Sequence, residues 1–183
     1  MATFARTAGG QDEQVATDPA LRWWFKRHAP AGQLRRNQLE QLTRALGDEP
    51  ELWRHLVRHS PAERFYVRLH LDDDLEVWLI CWSQRQDTGF HDHDGARGAV
   101  TVVQGALSER RLALTGSAPT SIHPTGSTFS FGANHIHDVS QTGAAVATSL
   151  HAYSPPLGEM GFYEFAADGT LTRRRGDYRE EFC

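Results

Sequence analysis

Cysteine is scarce. The 183-residue chain has only Cys81, inside the apolar run VWLICW, and Cys183 at the last position. Two such residues cannot make the disulfide framework of a small secreted domain, which implies a reducing, cytoplasmic setting. Basic blocks are missing as well. Nineteen Lys and Arg are scattered among 23 Asp and Glu for a net charge of −4, so neither nucleic acid nor an anionic membrane is indicated as a partner. No stretch approaches the roughly 20 apolar residues of a spanning helix, and MATFARTAGGQDEQ lacks an apolar run of signal-peptide length. Repeats and low-complexity linkers are absent too. One domain remains, long enough to bury a core supplied by five Trp and nine Phe. What the chain has in excess is histidine, ten copies, several in close pairs and none in a terminal run. Metal is therefore the first functional question.

Residues 1–16 are small and polar and read as loose. Asp18-Pro19 predicts a helix start, with Asp18 as N-cap and proline in the first turn of ALRWWFKRHA. Leu34, Leu39, Leu42 and Leu46 fall near helical spacing and Gly47 ends them; a third helical stretch, ELWRHLVRH, is expected from Glu51 to about His59. His28, His55 and His59 lie in this helical part and read as surface residues. After Pro61 the period changes from helix to strand. Phe65, Val67, Leu69 and Leu71 alternate with Tyr66, Arg68 and His70, and short β-rich runs with Gly-containing turns continue to about residue 165. The expected fold is all-β: a single sandwich or jelly-roll barrel over about residues 61–168, with a helical cap over about 17–60. No feature sets an oligomeric state, and a monomer is the working expectation.

Two histidine segments carry the chemistry. His91-Asp92-His93 follows Gly89 and precedes an Asp94-Gly95 turn. On a strand, residues i and i+2 share a face, so both imidazoles can reach one ion, and nitrogen ligands suit iron, zinc, copper or nickel better than magnesium or calcium. A lone HxH is equally a polar strand end with solvated histidines. Downstream, FSFGANHIHDVSQ adds His135 and His137, which a jelly roll can bring beside the first pair. Ser149, His151 and Tyr153 occupy i, i+2 and i+4 of another strand, with Leu150 and Ala152 facing the other way. No G-x-S-x-G elbow surrounds Ser149, so these three are not a hydrolase triad.

Gly89, His91 and His93, with His137 and Gln141 four residues apart, resemble the two cupin motifs. Cupins usually have Asn at the position of Gln141 and a glutamate shortly after HxH; here that stretch reads Asp94-Gly95-Ala96-Arg97-Gly98. In this and in its surrounding words the chain resembles the cysteine dioxygenase family from about Tyr66 to Pro156. The matching words are Tyr66-Val67-Arg68, Ile80-Cys81-Trp82, His91-Asp92-His93, Val103-Gln104-Gly105, His137-Asp138-Val139 and, most specifically, SLHAYSPP from Ser149 to Pro156.

The resemblance implies a cupin barrel with one iron(II) on His91, His93 and His137. It also implies Arg68, with Tyr66 beside it, gripping a substrate carboxylate, and a Ser149–His151–Tyr153 row aiming a phenol at the metal. The implied reaction adds both atoms of O2 to the sulfur of a small-molecule thiol, L-cysteine first and 3-mercaptopropionate or a bulkier thiol acid as the alternative. A cupin sensor or isomerase using zinc, nickel or manganese is the rival from another class. Read without the resemblance, Arg68 is a structural salt-bridge partner of Asp72, Asp73 or Glu76. His135 stays open as an alternative third ligand. The family's animal members carry, five residues after the second histidine, a cysteine linked to the signature tyrosine; that position is Gly98 here, so Tyr153 is expected to be an unmodified phenol.

Overall fold

The computed structural model describes residues 4–5, 15–16, 18–113 and 119–177, and Cys183 lies outside them. Within the N-terminal segment read as loose, β1 (Phe4–Ala5) and β2 (Val15–Ala16) pair with each other and extend a sheet edge. Helix α1 (Pro19–His28) begins as its sequence dictates, with the Asp18 carboxylate accepting from the Ala20 N–H at 2.8 Å. Helix α2 (Arg36–Gly47) buries Leu39, Leu42 and Leu46 on one face. The third helical stretch differs from its expectation. It forms two 3-10 turns, Pro50–Leu52 and Arg54–Leu56, between which Trp53 is buried with its indole N–H donated to Leu46 O at 2.9 Å. His28 and His55 are exposed as expected, but His59 is half-buried, its Nε2 3.0 Å from Ala147 O.

The strands that follow are β3 (Phe65–Leu71), β4 (Glu76–Trp82), β5 (Phe90–His91), β6 (Arg97–Gln104), β7 (Ala106–Arg111), β8 (Thr120–Pro124), β9 (Thr128–Phe131), β10 (His137–Gln141), β11 (Ala147–Ser154), β12 (Glu159–Phe165) and β13 (Leu171–Asp177). β13 carries the strands past the expected limit near residue 168. One sheet runs β1-β2-β3-β4-β11-β6-β9 and the other β13-β12-β5-β10-β7-β8. Alternation sorts the first sheet's side chains into two cores. Val67, Leu69, Val77, Leu79, Leu150 and Ala152 face out and pack under the helices with Leu21, Phe25, Leu39 and Leu46. Tyr66, Trp78, Ile80, Trp82, Val100, Val102 and Tyr153 face in and meet Leu107, Val139 and Met160 of the second sheet. Burial of each large aliphatic side chain stabilises by roughly 1.5–3 kcal/mol, so the two-sided seven-stranded sheet is the stable platform on which the interior is built.

One expectation about faces fails. Arg68 and His70 were expected on one face of β3, but the pairing slips between them: Arg68 sits opposite Trp78 and His70 opposite Val77. This bulge turns His70 out, onto the Phe25 ring at 4.4 Å between centroids, while Arg68 stays on the Trp78 side.

Candidate metal centre

β5 lies between β10 and β12, and its register sets His91 directly opposite His137. Directly opposed side chains start about 5 Å apart at Cβ, which is how two distant segments come to share one point. His93, two residues beyond His91, completes the group: one ring nitrogen from each of His91, His93 and His137 lies within 4.8 Å of the others. All three are buried. His91 Nδ1 donates to Gly89 O at 3.0 Å and His137 Nδ1 donates to Glu109 Oε1 at 3.0 Å, which leaves each Nε2 with a lone pair. Among the described residues neither ring nitrogen of His93 has a hydrogen-bond partner. Burial pushes all three imidazoles below the ordinary histidine range, His91 and His93 well below it; repulsion from within the group adds to the shift of His91 and His93, whereas the Glu109 hydrogen bond opposes that of His137. Three buried, neutral, converging imidazoles could hold a divalent metal ion.

No motif signals what holds His137. Glu109 on β7 is 1 % exposed and accepts from His135 Nε2 at 2.9 Å as well as from His137, with His123 Nε2 3.5 Å from its second oxygen. Burial alone would raise its pKa, but the histidine hydrogen bonds outweigh that and hold its carboxyl well below the usual range. Glu109, His135 and His137 also form a metal-compatible group. Both groups need His137, however, and its Nδ1 is already committed to Glu109. Gln141, whose spacing singled out His137, points elsewhere: its amide donates to the carbonyls of Thr142 and Gly143 and ties the turn after β10.

Asp92, between the two histidines, accepts from the Gly161 N–H at 3.0 Å, the Tyr163 hydroxyl at 2.7 Å and Arg173 Nη2 at 2.8 Å. The β12–β13 hairpin is thereby fastened to the middle of the histidine pair. Gly161 has to be glycine, because a Cβ there would stand 2.3 Å from Asp92 Oδ2.

On the facing sheet every residue of β11 is buried. Trp82 Nε1 donates to Ser149 Oγ at 2.9 Å, Ser149 Oγ lies 2.8 Å from His151 Nε2, and His151 Nδ1 lies 3.2 Å from the Tyr153 hydroxyl. Burial pushes His151 down to about 3, so its ring is neutral. With Ser149 already accepting from Trp82, the tautomer that uses every donor has Ser149 donating to Nε2 and Nδ1–H donating to the phenol oxygen. The phenol's own proton is then directed elsewhere. The Tyr153 ring stacks on His93 at 5.5 Å, and Phe131, unremarked in the sequence, stacks on the same imidazole at 4.4 Å. Phe131 also fills the space beside Gly98, where a Cβ would lie 2.2 Å from its ring.

Arg68 forms an ion pair with buried Glu76 at 3.1 Å, and its guanidinium lies over the Trp78 ring at 5.2 Å. Tyr66 is buried next to it, edge-on to Trp78 at 5.7 Å. Arg68 also borders a groove of about 590 Å³ between α1 and β3, which Arg22, Lys26 and His70 line as well.

Two antiparallel sheets closed over a histidine group define a cupin-type double-stranded β-helix. Among solved structures two share this fold and a third is less similar. A Klebsiella pneumoniae protein with a double-stranded β-helix domain matches at 16 % identity and TM-score 0.52, over 60 % of this chain and 86 % of that one. A Thermus thermophilus protein matches at 18 % identity and TM-score 0.50, over 56 % and 92 %. A cupin superfamily protein from Desulfitobacterium hafniense matches at 12 % identity and TM-score 0.48, over 57 % and 88 %. The family model for cysteine dioxygenase type I matches residues 31–165, well over half of the chain, and the chain belongs to that family. No curated protein matches it in sequence. Among the described residues no helix is long and apolar enough to cross a membrane.

Proposed function

We propose that this chain is a mononuclear non-haem iron(II) thiol dioxygenase whose first substrate is L-cysteine, converted to cysteine sulfinate. The observation that carries the reading is the buried group of three neutral imidazoles, one with neither ring nitrogen hydrogen-bonded among the described residues, facing the Ser149–His151–Tyr153 row. Held by His91, His93 and His137, iron(II) would keep its full dipositive charge and supply the redox chemistry and open positions through which O2 and a thiolate sulfur meet. In the net reaction sulfur gains both oxygen atoms and loses four electrons while O2 gains four, so no outside reductant is needed.

The chain's own residues then have separate tasks. Arg68 binds the substrate carboxylate, with Tyr66 and Trp78 fixing the guanidinium from the side. Tyr153, oriented through His151 and Ser149 by the Trp82 indole, offers its phenolic proton toward the substrate and the developing oxygen charge. Phe131 and the Tyr153 ring cover His93 and keep bulk water off the reacting sulfur. The test is anaerobic loading with iron(II), then oxygen uptake against L-cysteine, 3-mercaptopropionate and cysteamine, with the product read by mass spectrometry. Oxygen uptake with sulfinate formation from cysteine is the expected result. Uptake with none of the thiols, by protein that retains stoichiometric iron, would overturn the reading.

A further inference from the structure

The arginine assigned to the substrate carboxylate already has a carboxylate. Glu76 lies 3.1 Å from Arg68, is 1 % exposed, and uses its second oxygen to accept the Leu157 N–H at 2.9 Å. Its position is on the wall of the site. Glu76 is paired in register with Tyr153, Tyr153 with Gly98, and Gly98 with Phe131, and the rings of Tyr153 and Phe131 both stack on His93. Held from two sides, this carboxylate is a fixed negative charge inside the barrel rather than a mobile surface group.

We propose that Glu76 is a specificity-determining residue: as the resting countercharge of Arg68, it makes the site favour thiol acids that also carry an ammonium over thiol acids that carry a carboxylate alone. This rests on the dioxygenase reading above. A guanidinium has five donors and can hold two carboxylates, and on Arg68 one of those places is taken by Glu76. A deaminated thiol acid sets a second carboxylate against the same guanidinium, and its repulsion from Glu76 is costly in buried surroundings. An amino thiol acid brings its own positive charge, which offsets that repulsion. Removing the Glu76 charge relieves the repulsion most for the deaminated acid and so shifts the order toward it. Discrimination here works by repulsion of the wrong ligand, which selective sites use as often as attraction of the right one.

An amine that also binds the metal would favour cysteine regardless of Glu76, so the informative quantity is the change in preference and not the preference itself. Iron-loaded parent and Glu76→Gln proteins are compared for kcat/KM on L-cysteine and 3-mercaptopropionate, with Glu76→Asp as a charge-retaining control. The expected result is that Glu76→Gln raises the ratio of 3-mercaptopropionate to cysteine by about tenfold or more, while Glu76→Asp leaves it near the parent value. A folded, active Glu76→Gln protein with the parent's ratio overturns the proposal and leaves the dioxygenase reading intact. Parent protein that oxidises no thiol overturns both.

A second readout needs neither a variant nor turnover. Calorimetry of the metal-free parent protein should show S-methyl-L-cysteine binding more tightly than 3-(methylthio)propanoate. Equal affinities without iron, or tighter binding of the deaminated acid, would overturn the proposal even if Glu76→Gln failed to fold.

Discussion

Removing the Glu109 charge should weaken the grip on iron more than the fold. One Glu109 oxygen receives both His135 Nε2 and His137 Nδ1, and the other faces His123 and Arg111. In Glu109→Gln the amide oxygen can keep the first two bonds and the amide nitrogen can face His123, so the side chain fits while the charge that makes His137 a better ligand is gone. Loss of such a carboxylate behind a ligating histidine costs roughly 10–100-fold in metal affinity, about 1.4–2.7 kcal/mol. Gln should fall at the low end of that range. Glu109→Ala also strands the buried His137 N–H, at about 1–3 kcal/mol, and leaves the half-buried His135 without its partner, so it should fall at the high end with a lower melting temperature. The assay is anaerobic competition for iron(II) against a calibrated chelator, with circular dichroism to confirm folding. If both folded variants held iron as tightly as the parent, Glu109 would be a packing residue and the account of His137 would fail.

The other expectations are simpler. His91→Ala, His93→Ala and His137→Ala should each lose most bound iron while His135→Ala keeps it, as metal analysis of purified protein will show; full iron in His137→Ala with loss in His135→Ala would mean that the third ligand is His135. His151 is held neutral with its pKa depressed to about 3, against about 6.5 in the unfolded chain. Its contribution to stability is therefore present above pH 6.5 and lost as pH falls toward 3, by about 2 kcal/mol at pH 5. Melting curves of metal-free parent and His151→Gln should accordingly differ in slope between pH 6.5 and 4, and identical slopes would show that His151 takes up its proton in the folded protein. Gly98→Ala should cost about 1–3 kcal/mol by driving a methyl into Phe131. In the parent, a peptide mass showing Tyr153 linked to any side chain would contradict the reading of position 98.

The parts of the site that were legible in the sequence are those written as alternation within one strand. His91 and His93, and Ser149, His151 and Tyr153, stand two apart, and period-two geometry alone puts each set on one face. The two faces of the sheet were equally readable, with Val67 and Leu69 turning to the helices as alternation demands. What escaped was set by pairing between strands. Glu109 sits in ALSERR, which reads as a charged surface strand, and only the β7–β10 register brings it to His137. Arg68 and His70 were separated by a bulge that β3 does not announce. ELWRHLVRH has helical periodicity, but Trp53 reaching back to Leu46 O is better served by two tight turns. The β12–β13 hairpin carries its own turn signal at Asp168-Gly169, but the attachment of Arg173 to Asp92 becomes visible only in three dimensions.

On the proposed reading, both atoms of one O2 molecule reach the substrate sulfur. Iron-loaded protein turning over L-cysteine under 18O2 in unlabelled water should yield cysteine sulfinate carrying two labelled oxygens, with one O2 consumed per sulfinate formed. Sulfinate with one labelled oxygen, or cystine and hydrogen peroxide in its place, would contradict it.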